Sequence, residues 1–281
     1  MANPVAVIVG GTKGIGLAMG QQWLKRQLKT NTLTPKLFLL GRNTDTNTNK
    51  PLESLLQQYK KCDIQPVQVN LLEPQSINSA ASIVASCTDT IDYLFHTAGM
   101  LHNLDSDGKA IEGKPTLPER SFKELTVEGM RQTFELNTYA PALVIKEFSP
   151  LLKKCTSKCY RFKHLKQPPV FAAISARVGS IGDNGKGGWT SYRASKAALN
   201  MILQNAHWEF GMGGKQKIIV LALHPGTVDT GLSKPFQEMA KKQYEIFTAE
   251  HSAELLVNLC ENSDASSSGG FYAYDGSKIQ W

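Results

Sequence analysis

Apolar residues follow two alternating rhythms along the chain. Compact runs of five to seven, rich in Val, Ile, Leu and Phe, alternate with longer stretches in which apolar positions recur every three or four residues. The first pattern is that of a strand buried on both faces of a parallel sheet, the second that of an amphipathic helix laid against it. Strands are expected at 4–10, 36–40, 66–71, 91–97, 169–174, 217–223 and 270–276. Helices are expected from Leu17 through Leu24, at 51–61, 74–87, 126–154 and 189–210, and near 249–260. Strand and helix in strict alternation predict a single α/β domain over residues 1–281: a doubly wound, seven-stranded, mostly parallel sheet with helices on both faces. Two stretches break the rhythm and read as surface insertions, near 101–125, where Gly108, Gly113, Pro115 and Pro118 fall among charges, and near 153–168. Residues 231–247 read as a mobile stretch.

The turns at the carboxyl ends of the strands carry the candidate chemistry, because open α/β sheets bind ligands there. The first strand runs into Gly10-Gly11-Thr12-Lys13-Gly14-Ile15-Gly16 and then a helix. Glycines at such a turn let backbone N–H groups approach a pyrophosphate at the helix N-terminus, although the spacing is Gly10-x-x-x-Gly14-x-Gly16 rather than G-x-G-x-x-G. The second strand ends at Gly41-Arg42. An acidic residue there would hold a ribose 2′-hydroxyl, whereas Arg42, with Lys13 as a second cation, favours a 2′-phosphate and hence NADP(H) over NAD(H). Asn70, ending the third strand, can meet an adenine edge or cap the next helix.

Composition narrows the classes. The net charge of +7 and pI near 9.1 come from scattered Lys and Arg, so no nucleic-acid partner is expected. The five cysteines lack metal-ligand spacing and are expected reduced, with no metal. No basic leader precedes the short apolar run at 4–10 and no segment reaches membrane-spanning length, so a cytoplasmic location without membrane contact is expected.

Trp189-Thr190-Ser191-Tyr192-Arg193-Ala194-Ser195-Lys196 is the stretch on which the chemistry converges. On a helix, Tyr192 and Lys196 lie one turn apart, about 6 Å along the axis. A cation beside a phenol favours phenolate and brings a weak acid toward working range. Ser175 ends the fifth strand. In the long 126–154 helix, Pro141 has no N–H for the carbonyl of Asn137, which predicts a kink and a freed backbone acceptor. Ser175 in Ile174-Ser175-Ala176 lacks the Gly-x-Ser-x-Gly elbow, which argues against a serine hydrolase.

Gly10-x-x-x-Gly14-x-Gly16, Asn137, Ser175, Tyr192-x-x-x-Lys196 and Pro225-Gly226-x-Val228-x-Thr230 together resemble the short-chain dehydrogenase/reductase family over essentially the whole chain. The run Ser175-Ala176-Arg177-Val178-Gly179-Ser180-Ile181 and a tail with Tyr274-Asp275-Gly276 and Trp281 look like its C-factor and sniffer-type carbonyl reductase branch. The resemblance implies a Rossmann-type fold and an NADPH-dependent enzyme reducing a ketone, aldehyde or quinone. Tyr192 would be the general acid and Lys196 would lower its pKa and hold the nicotinamide ribose. Ser175 would donate to the oxygen gaining charge, and the Asn137 carbonyl would hold a relay water. It further implies cofactor contacts at Gly10, Thr12, Lys13, Gly14, Ile15, Gly16, Arg42, Asn70, Leu71, Ala98, Gly99, Tyr192, Lys196, Pro225, Gly226, Val228 and Thr230. The family usually shows Asn-Asn-Ala-Gly where this chain has His96-Thr97-Ala98-Gly99, and His96 reads as a packed histidine. Arg177, Val178, Trp189 and the 231–247 stretch are expected to shape the pocket, with Trp189 and Phe236 alternatively core. A homodimer or homotetramer can form if the two long helices pair across a two-fold axis. The alternative reading is an NADP-binding signalling protein with little turnover.

Overall fold

The computed structural model describes residues 3–30, 33–101, 118–155, 168–212, 217–234, 237–241 and 245–281. Most of the two expected insertions, and Phe236, lie outside these residues. Seven parallel strands form one sheet in the order β3-β2-β1-β4-β5-β6-β9. They are β1 (Val5–Val9), β2 (Lys36–Gly41), β3 (Asp63–Gln68), β4 (Tyr93–His96), β5 (Val170–Ile174), β6 (Ile219–His224) and β9 (Gly270–Ala273). Order reverses between β1 and β4, which opens a crevice at their carboxyl ends. The helices are α1 (Gly14–Thr30), α2 (Lys50–Gln58), α3 (Pro74–Cys87), α4 (Val127–Phe134), α5 (Ala140–Cys155), α6 (Thr190–Gly211), α7 (Gln237–Ala240) and α8 (Ala249–Glu261).

Alternation along the strands divides the core in two. Ala6 and Ile8 of β1 face α1, α2 and α8, packing with Met19, Trp23, Leu52 and Leu256. Val5, Val7 and Val9 face α3, α5 and α6, packing with Ile77, Val84, Phe148 and Leu203. Both faces are therefore dry, which explains why the strands read as continuous apolar runs rather than alternating ones. Among the described residues no helix is long and apolar enough to cross a membrane.

Three elements differ from expectation. The third strand starts at Asp63, with Pro66 inside it paired to Leu39. Proline is tolerated because β3 is the sheet edge and needs only one set of ladder bonds. The 231–247 stretch holds structure in its described part: β7 (Thr227–Val228) pairs in parallel with β8 (Ile246–Phe247) as a second small sheet, and α7 lies between them. The opposite edge, β9, is flanked by its own returning chain, with Ile279 N–H donating to Phe271 O at 2.8 Å and Lys278 bridging Tyr272 in antiparallel fashion.

Gly16 sits in the first turn of α1 with its Cα against the Gly10 carbonyl and the Thr97 hydroxyl, which a Cβ would overlap. Helix propensity alone favours Gly16→Ala by about 1 kcal/mol. The overlap outweighs it, so we expect a net loss of roughly 1–3 kcal/mol in urea unfolding, and a stabilised variant would contradict this packing.

Candidate active site

The cradle at the crevice floor is built from glycine backbone. Gly10 and Gly14 take φ of 82° and 54°, values open to residues without a Cβ. Space at Gly10 is closed by Ala98 N at 2.8 Å from where a Cβ would stand. Thr97 takes the place of the family's usual asparagine: its N–H and hydroxyl both donate to the Val9 carbonyl, at 2.8 and 2.9 Å, and so brace β1 against β4. Thr12 is buried and packs on Gly41, which puts Lys13 and Arg42 each one residue from a shared contact. Asn49, unnoticed in the sequence pattern, ties the same two loops by donating to Thr12 O and Asn43 O, both at 3.0 Å. Its signal was an Asn two residues before Pro51 at a helix start. Lys13 and Arg42 are exposed and form no ion pair among the described residues. A dinucleotide pyrophosphate fits the glycine cradle and a 2′-phosphate fits the two unpaired cations.

Asn70 does not cap α3, whose N-cap is Glu73 without a side-chain cap bond, but closes a local turn ahead of it. Its Oδ1 accepts Leu72 N–H at 3.2 Å and its Nδ2 donates to Glu73 at 2.6 Å, while Leu71 packs partly into the core. On the other flank, Gly226 at φ 78° lies against the Phe247 ring, and the Pro225 carbonyl accepts from Ser252 at 2.8 Å. The Val228 carbonyl accepts from Ser233 at 2.5 Å, and the Thr230 methyl faces Gly14 across the crevice, 3.9 Å from a Cβ built there.

Tyr192, Lys196 and Asn200 recur every four residues and share the inner face of α6, all buried. Lys196 is 2% exposed, and Nζ donates to the carbonyl of Ile174, the last residue of β5, at 2.9 Å. Gly179 makes this approach feasible, since a Cβ there would stand 2.6 Å from Lys196 Cβ. The Lys196 ammonium lies 5.9 Å from the Tyr192 ring centroid.

The expected long helix breaks where Pro141 demands it. Between α4 and α5, residues Glu135–Tyr139 widen into a π turn, with Ala140 N–H reaching back to Glu135 O. Asn137 sits in this turn, and its side chain has a role the sequence did not disclose. Oδ1 accepts Met100 N–H and Nδ2 donates to Met100 O, each at 2.8 Å, so the amide pairs with the chain leaving β4 like an extra strand residue. Nδ2 also donates to Ser195 Oγ at 3.1 Å, and Ser195 Oγ donates to Tyr192 O at 2.8 Å. Thr138 Oγ1 bonds the Ser195 carbonyl at 2.9 Å. The π turn thereby fixes α6 between Tyr192 and Lys196.

Ser175 departs from the expected arrangement. Its hydroxyl is 1% exposed and donates to Asn200 Oδ1 at 2.6 Å, while Asn200 Nδ2 donates to Gly179 O at 3.3 Å. With its proton directed into α6, Ser175 offers none to the crevice, and the next residue, Ala176, has no hydroxyl.

Electrostatics also differ from the simple pairing of cation and phenol. Burial alone raises the Tyr192 phenol well above its ordinary value, and burial alone lowers Lys196 to about 8. Desolvation outweighs the attraction between them because the ammonium faces the ring and makes no bond to the hydroxyl. His96, whose Cα pairs with Ala173, is held near 3 by burial and then by the Lys196 charge. It stays neutral, with Nε2 buried and unpartnered among the described residues.

With this geometry in view, the comparisons with known proteins agree on a class. The family model described as enoyl-(acyl carrier protein) reductase matches residues 36–268, and the chain belongs to the short-chain dehydrogenase/reductase family of oxidoreductases. A 1-hydroxy-2-glutathionyl-2-methyl-3-butene dehydrogenase of Rhodococcus sp. is 30% identical over 213 residues, covering 76% of this chain and 78% of its own. The carbonyl reductase Sniffer of D. melanogaster superposes with a TM-score of 0.77 over 100% of both chains at 23% identity. An NADPH-bound carbonyl reductase from chicken fatty liver gives 0.74, again over 100% of both chains at 23% identity. The matched region starts at β2, so the glycine cradle rests on its own geometry.

A buried lysine with a lowered pKa binds fewer protons folded than unfolded between about 8 and the ordinary lysine value of about 10.4. Stability of the ligand-free protein should therefore rise with pH from about 8 toward 10, the upper end being set by the raised Tyr192. Lys196→Met removes the titrating group and should flatten that rise in chemical denaturation series, and an unchanged slope would show that Lys196 is not its source.

Proposed function

We propose that the protein is an NADPH-dependent carbonyl reductase in which Tyr192 is the general acid. The observation that carries the reading is the buried Tyr192–Lys196 pair at the carboxyl rim of β5, in a sheet whose first strand ends in a glycine cradle flanked by Lys13 and Arg42. Gly10, Thr12, Lys13, Gly14, Ile15, Gly16, Arg42, Ala98, Gly99, Pro225, Gly226, Val228 and Thr230 are the proposed cofactor contacts. When bound, the nicotinamide cofactor supplies the hydride.

The chain's own groups do the rest. Because burial keeps the phenol protonated across the neutral range, Tyr192 holds a proton ready for a carbonyl oxygen that gains charge. The same burial disfavours the phenolate that the reverse, alcohol-oxidising step would need. Among the described residues Lys196 has one hydrogen bond, to Ile174 O, which leaves further N–H donors for a ribose hydroxyl. The Asn137 carbonyl, denied a partner at Pro141, is proposed to hold a water leading to that amine. Asn70 remains a peripheral adenine contact through its one unused Nδ2 proton. With Ser175 committed to Asn200, oxyanion stabilisation falls mainly on Tyr192.

The similar proteins support carbonyl and alcohol chemistry on small molecules: two are carbonyl reductases, one of them NADPH-bound, and one is a dehydrogenase. A cytoplasmic location and pairing of copies through α5 and α6 belong to the same reading.

With NADPH and a panel of ketones, aldehydes and quinones, Tyr192→Phe should lower kcat by roughly 10²–10⁴-fold. Ser175→Ala should cost less than about tenfold, since removing a true oxyanion donor costs about 10²–10³. Saturable NADPH binding without Tyr192-dependent turnover would instead favour a binding or signalling protein. Arg42→Glu should weaken NADPH far more than NADH in fluorescence titrations, and equal losses would refute the 2′-phosphate assignment.

A further inference from the structure

Helix α6 lacks a cap of its own. Gly187, Gly188 and Trp189 are consecutively left-handed, with φ of 63°, 65° and 51°, and Trp189 is the single non-glycine residue of positive φ among those described. A bulky residue in that region costs on the order of 1–3 kcal/mol and persists only when its surroundings hold it there. Trp189 is the N-cap residue, yet its side chain accepts no bond from the first turn.

The missing acceptors come from 72 residues earlier in the chain. The Glu119 carbonyl accepts Trp189 N–H at 2.5 Å. Its carboxylate accepts the Ser191 hydroxyl and, at 3.4 Å, the Ser191 N–H. Ser191 is 3% exposed, so without Glu119 its hydroxyl would be a buried orphan. The strap bearing Glu119 is itself held, by Arg120 N–H donating to Glu124 at 2.7 Å across the single 3-10 turn Phe122–Glu124. From the other side, the Arg193 guanidinium fastens the glycine pair by donating to Gly188 O at 2.9 Å and to Val178 O at 3.3 Å.

We propose that Glu119 is a positioning residue for Tyr192, acting as a cap in trans on α6. This rests on the reading of Tyr192 as the general acid. Tyr192 is the third residue of the helix, within the turn whose N–H groups have no intrahelical partner. Glu119 supplies two acceptors and a negative charge at the positive end of the helix dipole. Loss of its carboxylate leaves the Ser191 N–H and buried hydroxyl without their acceptor and lets the turn carrying the phenol fray. Lys196, a full turn deeper and tied to Ile174, keeps its place. The effect therefore falls on proton delivery and not on cofactor binding.

The test compares Glu119→Ala, Glu119→Gln and Ser191→Ala with Tyr192→Phe, using NADPH and the most reactive carbonyl of the panel. Glu119→Ala should lower kcat at least about tenfold while the NADPH dissociation constant stays within about twofold. Glu119→Gln should recover most of the loss, because an amide oxygen still accepts the Ser191 hydroxyl. Ser191→Ala, which removes the hydroxyl but leaves the Ser191 N–H facing the Glu119 carboxylate, should show the same split between kcat and cofactor binding to a smaller degree, and it decides the matter if Glu119→Ala does not fold. Unchanged kcat in folded Glu119→Ala, with only a lower thermal midpoint, would reduce the cap to a structural contact. A parallel fall in kcat and cofactor affinity would overturn the positioning role equally. Full activity in Tyr192→Phe would overturn the reading of the site itself, a result separable from all of these.

Discussion

One ammonium group, kept from water at the carboxyl rim of the sheet, is the constraint around which the site is arranged. Lys196 can occupy that position because a strand-end carbonyl receives it and because Gly179 leaves room for its stem. Burying a cation with a single protein partner is unfavourable, and the lowered pKa expresses that cost. A partner with hydroxyl acceptors would relieve it. Ligand binding and side-chain ionisation are thus linked at one atom.

Precision at this atom comes from three separate parts of the chain. The π turn ahead of α5 binds α6 through Thr138 and the Asn137–Ser195 pair and, with the same Asn137 amide, the chain leaving β4. Pro141 accounts for the turn: without an N–H it cannot continue the α-helical ladder, and the ring is tolerated near the start of the helix that follows. The strap at Glu119 holds the first turn of α6, and Ser175 with Asn200 holds its third. Helix α6 is therefore bonded at successive turns along the face that carries Tyr192 and Lys196, which is what keeps two long side chains in fixed register.

Much of this was legible before the structure. Alternating apolar rhythms gave all seven strands of the main sheet and their helices, because burial on both faces of a parallel sheet leaves little freedom in strand composition. The bounds of α3 are those read from the sequence. Where the reading fell short, long-range geometry decided. The third strand was read three residues too late, at 66–71 where it runs Asp63–Gln68, since a proline inside a strand is tolerated only at an edge and edge position cannot be seen locally. Ser175 is placed at the right strand end, yet hydroxyl direction depends on Asn200, 25 residues on. Asn137 was singled out for its carbonyl, while its side-chain pairing with Met100 needs a contact across 37 residues that no local pattern encodes. Glu119 lies within the stretch that reads as a surface insertion, and nothing nearby marks it as a cap.

The two margins of the sheet carry a consequence for how copies of this molecule can meet. One ends in β3, where Pro66 lacks an amide hydrogen. The other ends in β9, whose outward backbone is already taken up by Ile279 and Lys278 folding back on it. Neither rim offers an open ladder to a neighbouring strand, so growth by β-addition, the usual route to disordered aggregates, is blocked at both sides. Among the described residues, then, the margins of the main sheet are closed to a further strand while the outer helical surfaces are not.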